Sequence, residues 1–302
     1  MYRKTILIVS GVIALYAILM FASDLKLISE KLQNFQLEYV FIIIPIVTFS
    51  FFIRGFRWLL FLKYLKINIG IKNSFGIYFA GMAFGITPAK VGELIKSQIL
   101  KNKYSIAISK TAPIIFVERY YDLFGIAIIS FVVLLFLNFE TWIVLILLAV
   151  SILLLGIAQQ KSISLKILNS FSKIPFFNKY VNNLITGYET IHVLLSPKIF
   201  IKSILLSKSA WIVESIGVFF IFQAFGSSLD FANILFIFTS STLLGGISLL
   251  PGGIGVTEGG MLAQLLLRDI DYSFALCLVL TVRLFTLWMS VIIGFISLKF
   301  NH

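Results

Sequence analysis

The stretch Leu249-Leu250-Pro251-Gly252-Gly253-Ile254-Gly255-Val256-Thr257-Glu258-Gly259-Gly260 interrupts an apolar run from Phe231 to Leu267. Pro251 removes a backbone donor and clashes with the preceding helical turn. Five glycines fall within the next nine residues, and each is a poor helix former. A helix cannot cross this point intact. Hydrocarbon forbids unpaired backbone, so such a break is tolerated only inside protein or against a wet cavity. Glu258 follows in the same apolar setting, where a carboxylate is costly unless paired or hydrated. A broken helix beside an ionisable group points to a binding site. The competing reading is a turn at the membrane interface between two short spans.

Composition fixes the setting. Of 302 residues, 59% are hydrophobic and 13% charged, with a mean hydropathy of +1.02. A soluble domain averages about 25% charged. The expectation is an all-α integral membrane protein, with residues 1–302 forming one transmembrane domain. The formal charge of +12 points to cytoplasmic loops facing anionic lipid, not to nucleic acid. Cys277 is the single cysteine, so no disulfide framework is expected. His192 and His302 are the only histidines and form no metal-ligand cluster, and no phosphate-binding G-x-x-x-x-G-K-[ST] loop occurs. No cofactor or metal is expected.

Along the chain, Arg3 and Lys4 precede Thr5–Ala22, long enough to span. A retained helix is preferred over a signal peptide because the run is long and no A-x-A site follows. Asp24–Glu38 reads as a short amphipathic helix on the far face. Tyr39–Leu62 is the second span. It carries Arg54 and Arg57 on one helix face, either snorkelling beside Trp58 or facing a headgroup. Phe75–Ile86 is too short to cross. Thr87-Pro88-Ala89-Lys90-Val91-Gly92-Glu93 and an amphipathic run to Leu100 follow it. Lysines flank both ends, so a re-entrant hairpin from the inside is expected, its tip near Pro88–Glu93.

Ile106–Leu137 forms the next span and holds Glu118, Arg119 and Asp122 within about one turn. These three suit either a structural ion cluster or a site. Asn138 and Glu140 mark the outer end, and Thr141–Ala158 returns. Gln159–Lys202 is basic and reads as cytoplasmic helix against headgroups or as a solvated linker. Ser203–Phe225 spans outward, carrying Lys208 and Glu214. Phe231–Leu267 has acidic flanks and is expected to dip in from outside. Tyr272–Leu298 returns, carrying Arg283. Both termini are then cytoplasmic, in a cell membrane.

About six full transmembrane helices plus two oppositely oriented re-entrant hairpins result. The halves, about 1–138 and 141–298, form an inverted repeat, a plan common among transporters. Spacing agrees with this. Pro88 lies 31 positions before Arg119 and Pro251 lies 32 before Arg283. Glu93 lies 26 before Arg119 and Glu258 lies 25 before Arg283. Each half offers a Pro–Gly break, a glutamate, and an arginine in the next span. Free N–H groups at the hairpin tips and the two arginines would suit an anion such as phosphate. Glu93 and Glu258 would balance the arginines when the site is empty. The expected substrate-binding set is Arg57, Pro88, Lys90, Gly92, Glu93, Glu118, Arg119, Asp122, Pro251, Gly252, Gly253, Gly255, Glu258 and Arg283.

Four motifs also carry a resemblance: Arg54-Gly-Phe-Arg57-Trp58, Ile86-Thr-Pro-Ala-Lys-Val-Gly-Glu93, Val117-Glu-Arg-Tyr-Tyr-Asp122 and Leu250-Pro-Gly-Gly-Ile-Gly-Val-Thr-Glu258. In this order they resemble the signatures of the lysylphosphatidylglycerol synthase transmembrane family, which includes flippase-like proteins. The resemblance implies movement of lipid from the inner to the outer leaflet. Lys90 stands where the family commonly has arginine. Lysine keeps the charge but loses bidentate phosphate recognition, which leaves the headgroup open. The 302 residues hold no soluble aminoacyl-transferase domain, so no enzyme activity is expected.

The expectation is therefore a flippase-like protein moving an anionic phospholipid or a polyprenyl-phosphate-linked glycan. Its partners would be membrane lipids and a membrane-bound synthase or glycosyltransferase. Two alternatives stand beside it: a secondary transporter of a small anion, and a non-transporting subunit of a glycosyltransferase system.

Overall fold

The computed structural model describes residues 24–137, 142–162, 164–166 and 180–300, and among these every regular element is helical. The expected first span, Thr5–Ala22, lies outside the described residues. So do Asn138, Glu140 and the middle of the basic segment.

Helix α1 (Leu25–Gln33) starts at Asp24, whose carboxylate accepts from the N–H groups of Lys26 at 2.9 Å and Leu27 at 3.2 Å. This satisfies two donors that the first helical turn leaves open. A short 3-10 turn then leads into α2 (Val40–Tyr64). Helix α3 (Ile71–Met82) stops after 12 residues. A 3-10 segment, Pro88–Leu94, carries the chain into α4 (Ile95–Tyr104). Helix α5 (Ile108–Leu137) runs 30 residues through an internal Pro113. Next come α6 (Trp142–Gln159), α7 (Val181–Leu194) and α8 (Pro197–Ala224), the last opened by a proline whose missing N–H costs nothing there. Helix α9 (Phe231–Ile247) ends before the glycine-rich break, and α10 (Val256–Leu266) resumes after it. Helices α11 (Tyr272–Arg283) and α12 (Met289–Phe300) are joined by a π turn, Leu284–Trp288.

Among the described residues, four stretches are long and apolar enough to cross a membrane: Leu37–Tyr64, Ile108–Phe136, Pro197–Ala224 and Tyr272–Phe300. Helix α6 is apolar along its 18 residues.

Three boundaries differ from the sequence reading. Helix α8 begins at Pro197 rather than Ser203, because a proline at the first helical position starts a helix well even among lysines. Gly259 and Gly260 lie inside α10, so the break is confined to Ser248–Gly255. Continuous backbone hydrogen bonding outweighs the small helix penalty of two glycines. Finally, part of the basic segment is a packed helix, not a solvated linker. Helix α7 lies on α5, with Thr190 Oγ1 donating to the Lys110 carbonyl at 3.0 Å. Tyr121 OH donates to the Leu194 carbonyl at 2.8 Å at its far end.

The long helices α2, α5 and α8 pack together, and α9 lies along α5 and α8. Helix α12 crosses the end of α3 so closely that a Cβ at Gly294 would stand 2.1 Å from the Ala83 nitrogen. Only glycine permits that approach. The consequence for function is placement: α3 ends against α12, while α9 ends with Gly245 buried and Ile247 and Leu249 exposed.

Candidate functional site: a charged cavity where two helix breaks meet

The two breaks touch. The backbone N–H of Ala89, in the first, donates to the carbonyl of Leu249, in the second, at 3.1 Å. Both tips hold backbone in the left-handed region, which costs a non-glycine residue about 1 kcal/mol. Ala89 (φ 49°), Lys90 (φ 56°) and Leu249 (φ 57°) adopt it without being glycine, whereas Gly252 and Gly253 adopt it freely. Close packing holds the second tip in place. A Cβ on Gly245 of α9 would lie 1.9 Å from Thr257 Oγ1 of α10.

The tip amides are largely satisfied within the chain. Thr87 Oγ1 accepts from the Gly92 N–H at 2.7 Å, and a Glu258 carboxylate oxygen accepts from the Gly255 N–H at 2.8 Å. The expectation of free N–H groups pointing at a ligand is therefore corrected at these two positions. A short hydroxyl and a glutamate three residues into the helix sit within reach and cap the turns themselves.

Beside the tips lies a cavity of about 220 Å³. Its charged lining is Arg54, Lys90, Glu93, Arg119, Asp122, Glu214 and Arg283. Gly252 and Gly253 line it through backbone. Arg57, Glu118 and Glu258 stand behind this wall. Pro88 is exposed, and Gly92 is closed in by Phe84 and Thr87, each within 2.7 Å of a would-be Cβ. Pro251 and Gly255 shape the second turn without lining the cavity.

Each hairpin glutamate meets the arginine that its spacing paired with it. Arg119 approaches Glu93 at 3.5 Å, and Arg283 Nε bonds Glu258 at 2.8 Å. Arg283 also donates to the Gly252 carbonyl at 2.7 Å, tying α11 to the tip just before the π turn. Such π turns often occur where a helix carries function.

On the first side the contact extends into a ladder of alternating charge. Glu118 bonds Lys96 at 2.6 Å, and Lys96 bonds the second oxygen of Glu93 at 2.9 Å. Glu93 then meets Arg119, Arg119 meets Asp122 at 3.2 Å, and Asp122 meets Arg57 at 2.7 Å. Lys96 and Glu118 are fully buried, and Arg57 is 1% exposed. Desolvating such charges costs several kcal/mol per ion, so they persist only as mutually paired groups. A separate pair, Arg54–Glu214, joins α2 to α8, with the guanidinium 4.4 Å from the Trp211 ring centre.

Two of these features escape sequence reasoning. Lys96 reads as a flanking cytoplasmic lysine, yet it stacks 4.7 Å over Trp58 between two carboxylates. Its three-residue spacing from Glu93 is the one signal available. Arg54 and Glu214 stand 160 positions apart, and no local pattern connects them. Among the described residues no cluster of His, Cys, Asp and Glu has the makings of a metal site.

Comparison with known proteins covers the same span. A UPF0104 membrane protein of Methanocaldococcus jannaschii is 30% identical over 220 residues, covering 69% of this chain and 89% of that one. A UPF0104 membrane protein of Methanothermobacter thermautotrophicus is 25% identical, covering 99% of this chain and 96% of its own. One from Pyrococcus horikoshii is 24% identical across 99% of this chain and 98% of its own. The profile of the family described as the lysylphosphatidylglycerol synthase TM region matches residues 6–294. The chain is a multi-pass membrane protein and belongs to that family.

Proposed function

We propose that this chain moves an anionic lipid, a phospholipid or a polyprenyl-phosphate-linked glycan, between the leaflets of the cell membrane. In this reading α3 with Pro88–Tyr104, and α9 with α10, are re-entrant hairpins that enter from opposite faces. The halves about 1–138 and 141–298 form an inverted repeat within one domain of about six full spans, with both termini cytoplasmic. The headgroup rides in the charged cavity while the tails stay in the bilayer. The protein needs no chemistry of its own for this task, and a membrane-bound synthase or glycosyltransferase supplies the lipid.

One observation carries the reading: two interrupted helices abut at Ala89 and Leu249 beside a cavity walled by four cations and three carboxylates. Buried charge on that scale is costly in a purely structural role. Interrupted helices facing a polar cavity are how transporters place a site inside a membrane.

The test is reconstitution into vesicles holding a tail-labelled fluorescent phosphatidylglycerol. Dithionite added outside quenches only outer-leaflet label. Wild type should expose the inner pool, and Arg283→Ala should slow that exposure at least about tenfold, the size of one lost charge-assisted contact. Equal rates for the two proteins contradict the reading. Uptake of a soluble anion without lipid movement favours the secondary-transporter alternative.

A further inference from the structure

The cavity's charges do not cancel. The groups on its wall, with the whole chain of ion pairs that continues behind them, comprise six cations: Arg54, Arg57, Lys90, Lys96, Arg119 and Arg283. They face five carboxylates: Glu93, Glu118, Asp122, Glu214 and Glu258. Five of the six cations stand within 4.0 Å of a carboxylate oxygen. Lys90 is the exception among these groups. It is half-buried on the cavity wall, and its backbone is held at φ 56° beside the contact between the two tips. Two neutral donors on the same wall also lack a protein partner: Trp211 Nε1, in a side chain more than nine-tenths buried, and Thr242 Oγ1.

From this balance we infer that the cavity is a seat for a group of single negative charge, a phosphate diester, with Lys90 selecting for it. One diester cancels the excess of one positive charge. A phosphate monoester carries about 1.5–2 charges at neutral pH and would leave the cavity with excess negative charge. The Lys90 ammonium, alone among these cations in having no carboxylate within 4.0 Å, is the group left to meet a free oxygen of the diester. The remaining guanidiniums hold their carboxylates and set the background. This specificity rests on the transport reading only for the source of the diester, a lipid headgroup. The same chemistry would also admit a soluble diester.

Native mass spectrometry of the full chain in detergent tests it, with three probes: dimyristoyl phosphatidylglycerol, dimyristoyl phosphatidic acid and soluble glycerophosphoglycerol. Phosphatidylglycerol should bind about tenfold tighter than phosphatidic acid, the worth of one charged contact. Lys90→Arg should keep that preference. Lys90→Asn removes the charge while suiting the left-handed backbone, and should abolish the preference. Equal or tighter binding of phosphatidic acid by wild type, or an unchanged preference in Lys90→Asn, overturns the inference. Lys90-dependent selection without lipid movement in vesicles sustains the seat and overturns the transport reading. Glycerophosphoglycerol binding as tightly as the lipid also sustains the seat and names a soluble diester as its ligand.

Discussion

The two hairpins share a plan and use it differently. In the second, Glu258 bonds the Gly255 amide of its own turn, and Arg283 bonds both Glu258 and the Gly252 carbonyl. The pair is a closed clip that fixes the shape of a glycine-rich tip. In the first, Glu93 shares its two oxygens between Lys96 and Arg119, and each of those reaches a further carboxylate. The clip fixes the tip while Arg283 still lines the cavity. The ladder places charge next to a cavity that Arg119, whose side chain is 25% exposed, helps to line. One spacing pattern, a break followed by glutamate and then arginine, closes on itself at the second break and opens into a chain of ion pairs at the first.

The largest expected effect falls on the ladder's dry end. Lys96→Met leaves Glu93 and Glu118 buried without their shared cation, and should cost about 3–5 kcal/mol, the price of breaking a buried ion pair. Thermal unfolding in detergent, or loss of folded yield, reads this. Glu258→Gln keeps an acceptor for the Gly255 amide and should cost about 1–2 kcal/mol. If the two substitutions cost the same, the distinction between clip and ladder fails.

Packing at the second tip gives the next effect. Gly245→Ala places a methyl 1.9 Å from Thr257 Oγ1 and should destabilise by about 1–3 kcal/mol. Adding Thr257→Ala removes the clashing hydroxyl and should restore part of that loss. A double variant no better than Gly245→Ala would locate the strain elsewhere. A comparable clash at the first tip involves Gly92 and Thr87, whose hydroxyl also caps the turn. Relief by Thr87→Ala should therefore be smaller there.

How much of this was legible in the sequence follows from the range of each interaction. Pro251 with Gly252 and Gly253 announces a break because backbone chemistry is local, and the break is where the residues place it. Glu93 with Arg119, and Glu258 with Arg283, are legible from matched spacings, since one hairpin arm and one half span separate each pair. Gly259 and Gly260 mislead because propensity is weak against a helix already packed. Lys96 misleads because a lysine near a lysine-rich flank looks solvated until Trp58 and two carboxylates close around it. The meeting of Ala89 with Leu249 is a tertiary backbone contact that side-chain pattern cannot encode.

The smallest effect lies away from both tips. Asp230 caps α9 by accepting from the Asn233 N–H at 2.8 Å, and that bond holds its carboxyl below the usual carboxylate range. Its contribution is present above the unfolded pKa and is lost as pH falls through the folded value. Unfolding temperature should therefore decline on acidification slightly more in wild type than in Asp230→Ser, which keeps a neutral cap. The difference should stay within about 1 kcal/mol. A larger difference would give this outlying cap as much weight as the Glu258–Arg283 clip.

The central claim is that the meeting of the two broken helices is the working part of the molecule. Cys277 is buried and is the only cysteine, so Cys277→Ala gives a clean background for Ala89→Cys with Leu249→Cys. Lipid movement in vesicles is then measured before and after oxidation, and again after reduction. The account predicts that the two cysteines join, that joining them stops transport, and that reduction restores it. Cysteines that never join, or transport that continues at the same rate once they have joined, would contradict it.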